Sequence, residues 1–284
     1  MNKQIYREMV CIEKCLHFRV KIYALLLREV LTEYKVMAQL ILFFVRLSLS
    51  LCTILLFGYI FVRLREQRMI EQWGKYMEVQ VIESKELLET VEPFEIRHLL
   101  WGTERIPKTY GYIGFAKGEG FYLKLVCLEK NPLRIYKEDQ DPVYKDSAVE
   151  AFFRFNSGDG SRQDIYLNFE MNANGAILAG YGKNKTERTP FEADMLQKLN
   201  CKAEVEEEQW NVSLMVPIEI LECIYGELYL KEGTKFNCNF YKICETKENE
   251  HYASYEYVKS KNPNFHLPEY FAEAVITAGN KKKI

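Results

Sequence analysis

Two glutamates, Glu150 and Glu170, stand in short segments that alternate apolar and polar side chains. The apolar positions are Val149, Ala151, Phe153 and Phe155 in the first, and Ile165, Leu167, Phe169 and Met171 in the second. Between them lies Asn156-Ser157-Gly158-Asp159-Gly160-Ser161, rich in turn formers. The pattern predicts a hairpin with its odd positions turned inward, because side chains alternate across a strand. Pairing Phe155 with Ile165 puts Glu150 opposite Glu170. Carboxylates facing each other at about 5 Å repel. Such a pair needs a cation, an arginine or a shared proton. Arg154 is one candidate neutraliser, and a bound Ca²⁺ is another. A separation of about 5–5.5 Å is also that of the two carboxyls in a retaining glycosidase, where a dry pocket raises the pKa of one of them.

The even positions would then share the opposite, solvent-facing side. They are Glu150, Phe152 and Arg154 on one strand and Tyr166, Asn168, Glu170 and Asn172 on the next. A third segment alternates Asn237, Asn239 and Tyr241 with Phe236, Cys238 and Phe240. A fourth has Asn211 and Ser213 outward and Trp210, Val212, Leu214 and Val216 inward. Planar amides, phenols and a guanidinium are short, stiff groups that hydrogen-bond hydroxyls and stack on sugar rings. The plainer alternative is that the asparagines satisfy loop crossings. His98, His251 and His266 are dispersed, and His266, between Phe265 and Leu267, reads as the partner of a loop carbonyl. No P-loop, GxSxG or HExxH occurs, so catalysis would rest on Glu150 and Glu170.

The elements that must position these groups read as strands over 112–115, 120–127, 147–155, 164–172, 176–181, 209–216, 235–243 and 271–277, punctuated by Gly, Asn, Asp and Pro. Helical signal is confined to 190–199 and 218–224. The pattern predicts an all-β antiparallel sandwich, jelly-roll-like, over residues 76–278. The whole chain has 284 residues, 48% of them apolar, and a net charge of −2. That suits one good-sized domain plus an appendage and argues against a nucleic-acid partner, which would show a basic face. Cys11, Cys15, Cys52, Cys127, Cys201, Cys223, Cys238 and Cys244 form no CxxC motif and read as buried small hydrophobes.

The appendage is N-terminal. Residues 1–35 form a basic segment with apolar positions at helical spacing, including Ile22, Leu25, Leu26 and Val30. Residues 36–63 hold an apolar run, Ala38 to Val62, whose only charge is Arg46. The run is long enough to cross a bilayer as a helix. The basic residues before it favour an N-inside anchor with the domain extracytoplasmic. The alternatives are a buried helix or an upstream extension, with Met69 or Met77 as the true start and a cytoplasmic domain. Residues 64–75 would be a linker and 279–284 a basic tail.

Four motifs occur in order. They are Val143-Tyr144-Lys145-Asp146-Ser147-Ala148-Val149-Glu150-Ala151-Phe152-Phe153, then Tyr166-Leu167-Asn168-Phe169-Glu170-Met171-Asn172 leading to Gly175. Phe236-Asn237-Cys238-Asn239-Phe240-Tyr241-Lys242-Ile243-Cys244 follows, and Asn262-Pro263-Asn264-Phe265-His266-Leu267-Pro268-Glu269-Tyr270-Phe271 comes last. The set resembles the family 9-like carbohydrate-binding modules, within the DOMON-like β-sandwiches, over residues 76–277. The resemblance implies a module that clamps a terminal sugar between aromatic rings, carries structural calcium and is attached to or encoded beside a glycoside hydrolase. Where such modules often have Ser-Trp, this chain has Ser254-Tyr255, and tyrosine stacks with less area. The expected ligand contacts are Trp101, Tyr144, Arg154, Tyr166, Asn168, Glu170, Asn239, Tyr241 and Tyr255, with Trp210 in the core. Asn262 to Phe271 is expected to close the fold. The expected partners are a carbohydrate, the membrane and a glycoside hydrolase encoded nearby. A hydrolase acting through Glu150 and Glu170 and a structural sandwich without sugar binding remain the alternatives.

Overall fold

The computed structural model describes residues 3–30, 39, 41–48, 59, 63, 76–157 and 160–279. The chain divides into two compact units, Met1–Gln72 and Trp73–Ile284. In the first, helix α1 spans Lys3–Val30, a stretch free of proline and glycine, and residues 41–48 are also helical. Most of the expected membrane span over 36–63 lies outside the described residues, as do the linker 64–75 and the tail beyond residue 279. Among the described residues, no helix is long and apolar enough to cross a membrane.

The second unit is mostly β. Its strands are β1 (Met77–Ile82), β2 (Phe94–Ile96), β3 (His98–Leu99), β4 (Lys108–Ala116), β5 (Gly120–Leu128), β6 (Ala148–Arg154), β7 (Tyr166–Asn172), β8 (Ile177–Gly182), β9 (Arg188–Pro190), β10 (Lys202–Val205), β11 (Trp210–Pro217), β12 (Lys235–Cys244), β13 (His251–Ser254) and β14 (Ala272–Thr277). Helices α2 (Ala193–Leu199) and α3 (Ile218–Tyr225) fall where helical signal was expected. The eight expected strands all form, with ends shifted by a few residues. The short strands β2, β3, β9, β10 and β13 were not expected, nor was β1.

The sheet runs β10-β11-β5-β4-β1-β14-β12-β6-β7-β8-β9, with β13, β2 and β3 off this path. It is mixed, which corrects the antiparallel expectation. Strand β1 inserts between β14 and β4 and runs parallel to both. The sheet curls into a half-barrel. Phe121 on β5 packs on Phe153 of β6 and Phe236 of β12, at 6.4 and 5.2 Å between ring centroids, although five ladders separate β5 from β6 along the path.

The main core lies inside the curl and takes the odd positions of the β6–β7 hairpin, as alternation requires. The opposite face departs from expectation. Ala148, Phe152, Tyr166 and Tyr241 are buried in a second core with Leu100, Tyr252, Val258, Phe265 and Phe271. The physical reason is a cover: β13 pairs with β12 and β3, and the irregular segment 255–271 folds over the sheet. Burying one Phe side chain in this way contributes about 1.5–3 kcal/mol. Cys127, Cys238 and Cys244 are buried as expected, whereas Cys11, Cys15 and Cys223 are exposed.

Candidate functional site

The register of β6 against β7 pairs Glu150 with Glu170. Both point to the covered face, and they are 3% and 4% exposed. They form the floor of a cavity of about 170 Å³. Trp101, Tyr144 and Tyr252 make its walls, together with the loop Pro263–His266. Exposed Lys185 and Glu245 stand at its rim.

Each wall is held in place. Trp101 has left-handed backbone, φ 51°, which costs a non-glycine residue about 1–2 kcal/mol. Its indole Nε1 donates to the Ser260 carbonyl at 2.9 Å, and its ring packs on Tyr252 and Phe265 at 5.4 and 5.2 Å. Such strain persists where the surroundings over-determine it, often at ligand clamps. Tyr241 lies under the closing loop, stacked on Phe265 at 4.0 Å.

The carboxyl pair is treated asymmetrically. Glu170 accepts a hydrogen bond from Asn168 Nδ2 at 3.0 Å. Asn168 Oδ1 accepts in turn from Arg188. The Arg188 guanidinium also donates to Gly180 O at 2.9 Å and Gly182 O at 3.2 Å and lies 4.4 Å over the Tyr166 ring. Glu150 has no hydrogen-bond partner for its side chain among the described residues. Burial, followed by the facing Glu170 charge, holds the Glu150 carboxyl well above the usual carboxylate range. Burial pushes Glu170 up to about 7, against the opposing pull of Asn168 and Arg188. The pair therefore retains a proton near neutrality.

Of the three expected ways to neutralise the pair, these shifts favour the shared proton. Arg154 is elsewhere, donating to Asn237 Oδ1 on β12 at 3.1 Å. Among the described residues, no group of three or more His, Cys, Asp or Glu could hold a metal ion. Buried Asp146, a carboxylate that could suggest calcium, instead accepts the Ile135 and Tyr136 backbone N–H groups and Asn172 Nδ2, each at 2.9 Å. Those donors do not fit a cation site.

The expected contacts separate into groups. Trp101, Tyr144 and Glu170 line the cavity. Tyr166 and Asn168 lie just beneath it: the Tyr166 hydroxyl shares a 3.0 Å hydrogen bond with His266 Nδ1. Burial, then the Arg188 charge, lowers the His266 pKa to about 3, so the imidazole is neutral. His266 is thus a cavity residue, not the partner of a loop carbonyl. Asn239 satisfies a loop crossing, donating to Glu256 O at 3.1 Å and Tyr270 O at 3.3 Å. Tyr241 is fully buried, with its hydroxyl on Phe265 O at 3.4 Å. Tyr255 faces the main core, 5.5 Å from Phe94 and 6.1 Å from Phe240. The expected polar, solvated sheet face does not exist as such, because β13 and 255–271 cover it. Arg188, Lys185, Glu245 and Tyr252 were not anticipated. The one available signal was Phe152 and Tyr166 among the even positions, since large aromatics on a supposedly solvated face imply a cover.

A second buried polar cluster lies at the same end of β12, on the opposite face of the strand. Lys242 is fully buried. It donates to Ser147 Oγ at 2.7 Å, Ile243 O at 3.3 Å and His251 Nε2 at 2.9 Å. Glu129 Oε2 lies 4.0 Å from its ammonium and accepts from Trp210 Nε1 at 2.9 Å and from Ser147 Oγ. A serine beside a lysine suggests a nucleophile and its base. Here both are sealed from solvent and their polar atoms are already bonded.

The family model for carbohydrate-binding family 9 matches residues 87–276, more than half of the chain. The chain belongs to carbohydrate-binding family 9. No curated protein matches this family 9 chain in sequence. Among solved structures, it is similar to a candidate carbohydrate-binding protein from Bacteroides uniformis, with a TM-score of 0.60 and 20% identity over 71% of this chain and 99% of that one. It is also similar to a family 9 module from Caldicellulosiruptor kristjanssonii solved with cellotriose, with a TM-score of 0.49 and 14% identity over 74% of this chain and 97% of that one. The same organism's module solved with glucose gives a TM-score of 0.45 and 14% identity over 74% of this chain and 99% of that one.

Proposed function

We propose that this family 9 domain is a non-catalytic module that binds a sugar in the cavity over Glu150 and Glu170. The observation that carries this reading is a cavity with aromatic walls and a carboxyl floor in which Glu150 is buried without a partner. The Glu150 carboxyl opens onto the cavity and not onto another side chain, so a ligand hydroxyl takes up its unused acceptor positions. Trp101 and Tyr252 offer faces for a sugar ring, while Tyr144, Glu170, His266 and Asn264 offer polar contacts. The volume is about five to six times the space a water occupies in the liquid, which suits one sugar residue at a chain end.

Hydrolysis fits the same geometry poorly. A glycosidase needs its two carboxyls to flank the scissile bond. Glu150 and Glu170 project from neighbouring strands on one sheet face, so a ligand meets both from one side. The curled sheet, with its two ends packed across the main core, also supports reading the domain as a sandwich closed along one edge. We further propose that 38–62 tethers the domain to a membrane. Its length and its flanking arginines support this, and fractionation of cells expressing the full chain tests it. A glycoside hydrolase encoded nearby would supply the glycan ends.

Glycan-array binding and titration calorimetry with the full chain test the central reading. Trp101→Ala is expected to weaken binding of any sugar found by about tenfold or more, since interface aromatics carry 1–3 kcal/mol when truncated. Binding unaffected by this change, or the absence of any sugar ligand, would refute it.

A further inference from the structure

The ligand's charge, and with it a narrower ligand class, follows from what surrounds the cavity floor, given that the cavity is the sugar site proposed above. Three carboxyls face the cavity: Glu150, Glu170 and Glu245. Two cations answer them. Lys185 stands at the rim, and Arg188 acts on Glu170 through Asn168. Outside the cavity, Glu250 accepts from the Tyr252 hydroxyl at 2.9 Å, Glu269 acts on Tyr166 and Lys145 on Glu245; the rings packed against the floor carry no charge near neutrality. The imidazole of His266 is neutral. Burial pushes the Tyr166 phenol up to about 12 and raises the Tyr252 phenol as well, so neither ionises near neutrality, and burial likewise keeps Tyr241 protonated. With every cavity carboxyl ionised, Glu150, Glu170 and Glu245 against Lys185 and Arg188 leave one negative charge in surplus. In the free protein a proton on the floor pair removes that surplus.

We propose that Glu150 and Glu170 make this cavity select an amine-bearing sugar over its neutral counterpart and reject a sugar bearing a carboxylate. A ligand ammonium resting on the floor supplies the missing positive charge. It donates to Glu150, which has no other hydrogen-bond partner for its side chain, and to the free lone pairs of Glu170. Such charge-assisted bonds are roughly twice as strong as neutral ones. The balance is one proton: the floor pair gives up its shared proton to solvent as the cationic ligand enters. A ligand carboxylate would instead add a second surplus negative charge beside two buried carboxyls. The ring-lined walls, and the absence of a metal-holding cluster among the described residues, favour an organic cation over a bare metal ion.

The test is calorimetry on the full chain at pH 6.5. The ligands are glucose, galactose and mannose, each with its 2-amino and its 6-carboxylate form. For whichever hexose binds, the amino form is expected to bind about tenfold or more tightly, and the carboxylate form at least tenfold more weakly. Repeating the titration in two buffers of different ionisation enthalpy should show release of up to one proton with the amino form only. Glu150→Gln, which keeps the side-chain shape, should remove the amine advantage, so that the amino and neutral forms of that hexose bind within about threefold of each other. Binding of a neutral hexose with no amine advantage, or with a carboxylate form equally bound, overturns the charge selection while leaving sugar binding intact. So does competition between Ca²⁺ alone and the amino form. Failure of every hexose and every derivative to bind overturns sugar binding in this cavity and the selection with it.

Discussion

Two buried polar clusters sit on the same sheet, and they differ in how completely they are satisfied. Around Lys242 the hydrogen bonds close on themselves. The ammonium has three partners, Ser147 links it to Glu129, and Trp210 completes the carboxylate. On the floor of the cavity, Glu170 has one bond from Asn168 and Glu150 has none among the described residues. Both clusters pay desolvation. Only the first recovers it within the protein, as expected of a group that holds a fold together. The second leaves its cost to be recovered by something that enters, as expected of a binding site.

The sharpest way to break this contrast is to remove the central cation of the closed cluster. Lys242→Met leaves Glu129 without its ammonium partner, and removing one partner of a buried ion pair costs about 3–5 kcal/mol. Denaturant unfolding of the variant should register a loss of that order. A change under 1 kcal/mol would mean that the network is not structural. The open cluster should behave oppositely. Glu150→Gln removes a like-charge contact and should leave stability at pH 8 unchanged or raised, while altering ligand preference.

The carboxyl floor of the open cluster and the imidazole of the closed one should also respond oppositely to pH. Folding raises the Glu150 and Glu170 pKa values, so the folded state binds protons more tightly there. The stability this contributes is complete below the unfolded value of 4.5 and is lost as pH rises through about 7 for Glu170. His251 goes the other way. Burial, then the neighbouring Lys242 charge, lowers its pKa to about 4, so its contribution is complete above 6.5 and is lost as pH falls from 6.5 through 4. His266, lowered to about 3, adds to that acid limb. Thermal unfolding across pH 4–9 should show a maximum between the limbs. Glu170→Gln should flatten the alkaline limb and His251→Asn should shallow the acid one. A Glu170→Gln profile that matches the unsubstituted protein above pH 6 would contradict the shared-proton account.

Much of the site was legible before any fold was known. Alternation through 149–155 and 165–171 pointed to the hairpin, and pairing Phe155 with Ile165 across the turn put Glu150 opposite Glu170, the register the structure has. What alternation cannot show is which face a distant segment will cover. Asn168, Asn239 and Tyr241 therefore read as exposed ligand contacts, whereas the closing segment buries all three and gives Asn239 two carbonyls to hold. That segment, Asn262 to Phe271, was legible as the closure of the fold. Its second role as the cavity wall, through Phe265 and His266, depends on tertiary contacts with Trp101 and Tyr166. Arg188 escaped notice because β9 has three residues, too few for any periodicity. The parallel insertion of β1 joins the two ends of the domain's sequence, a pairing that local pattern does not encode.

The central claim, that ligand enters over the open cluster and not the closed one, is tested most directly by the side-chain carboxyl ¹³C resonances of Glu150, Glu170 and Glu129. These would be followed by NMR as a binding sugar is titrated into the full chain. The account predicts that Glu150 and Glu170 shift together to saturation while Glu129 stays fixed. A shift confined to Glu129, or none at Glu150 and Glu170 at saturating sugar, would contradict it.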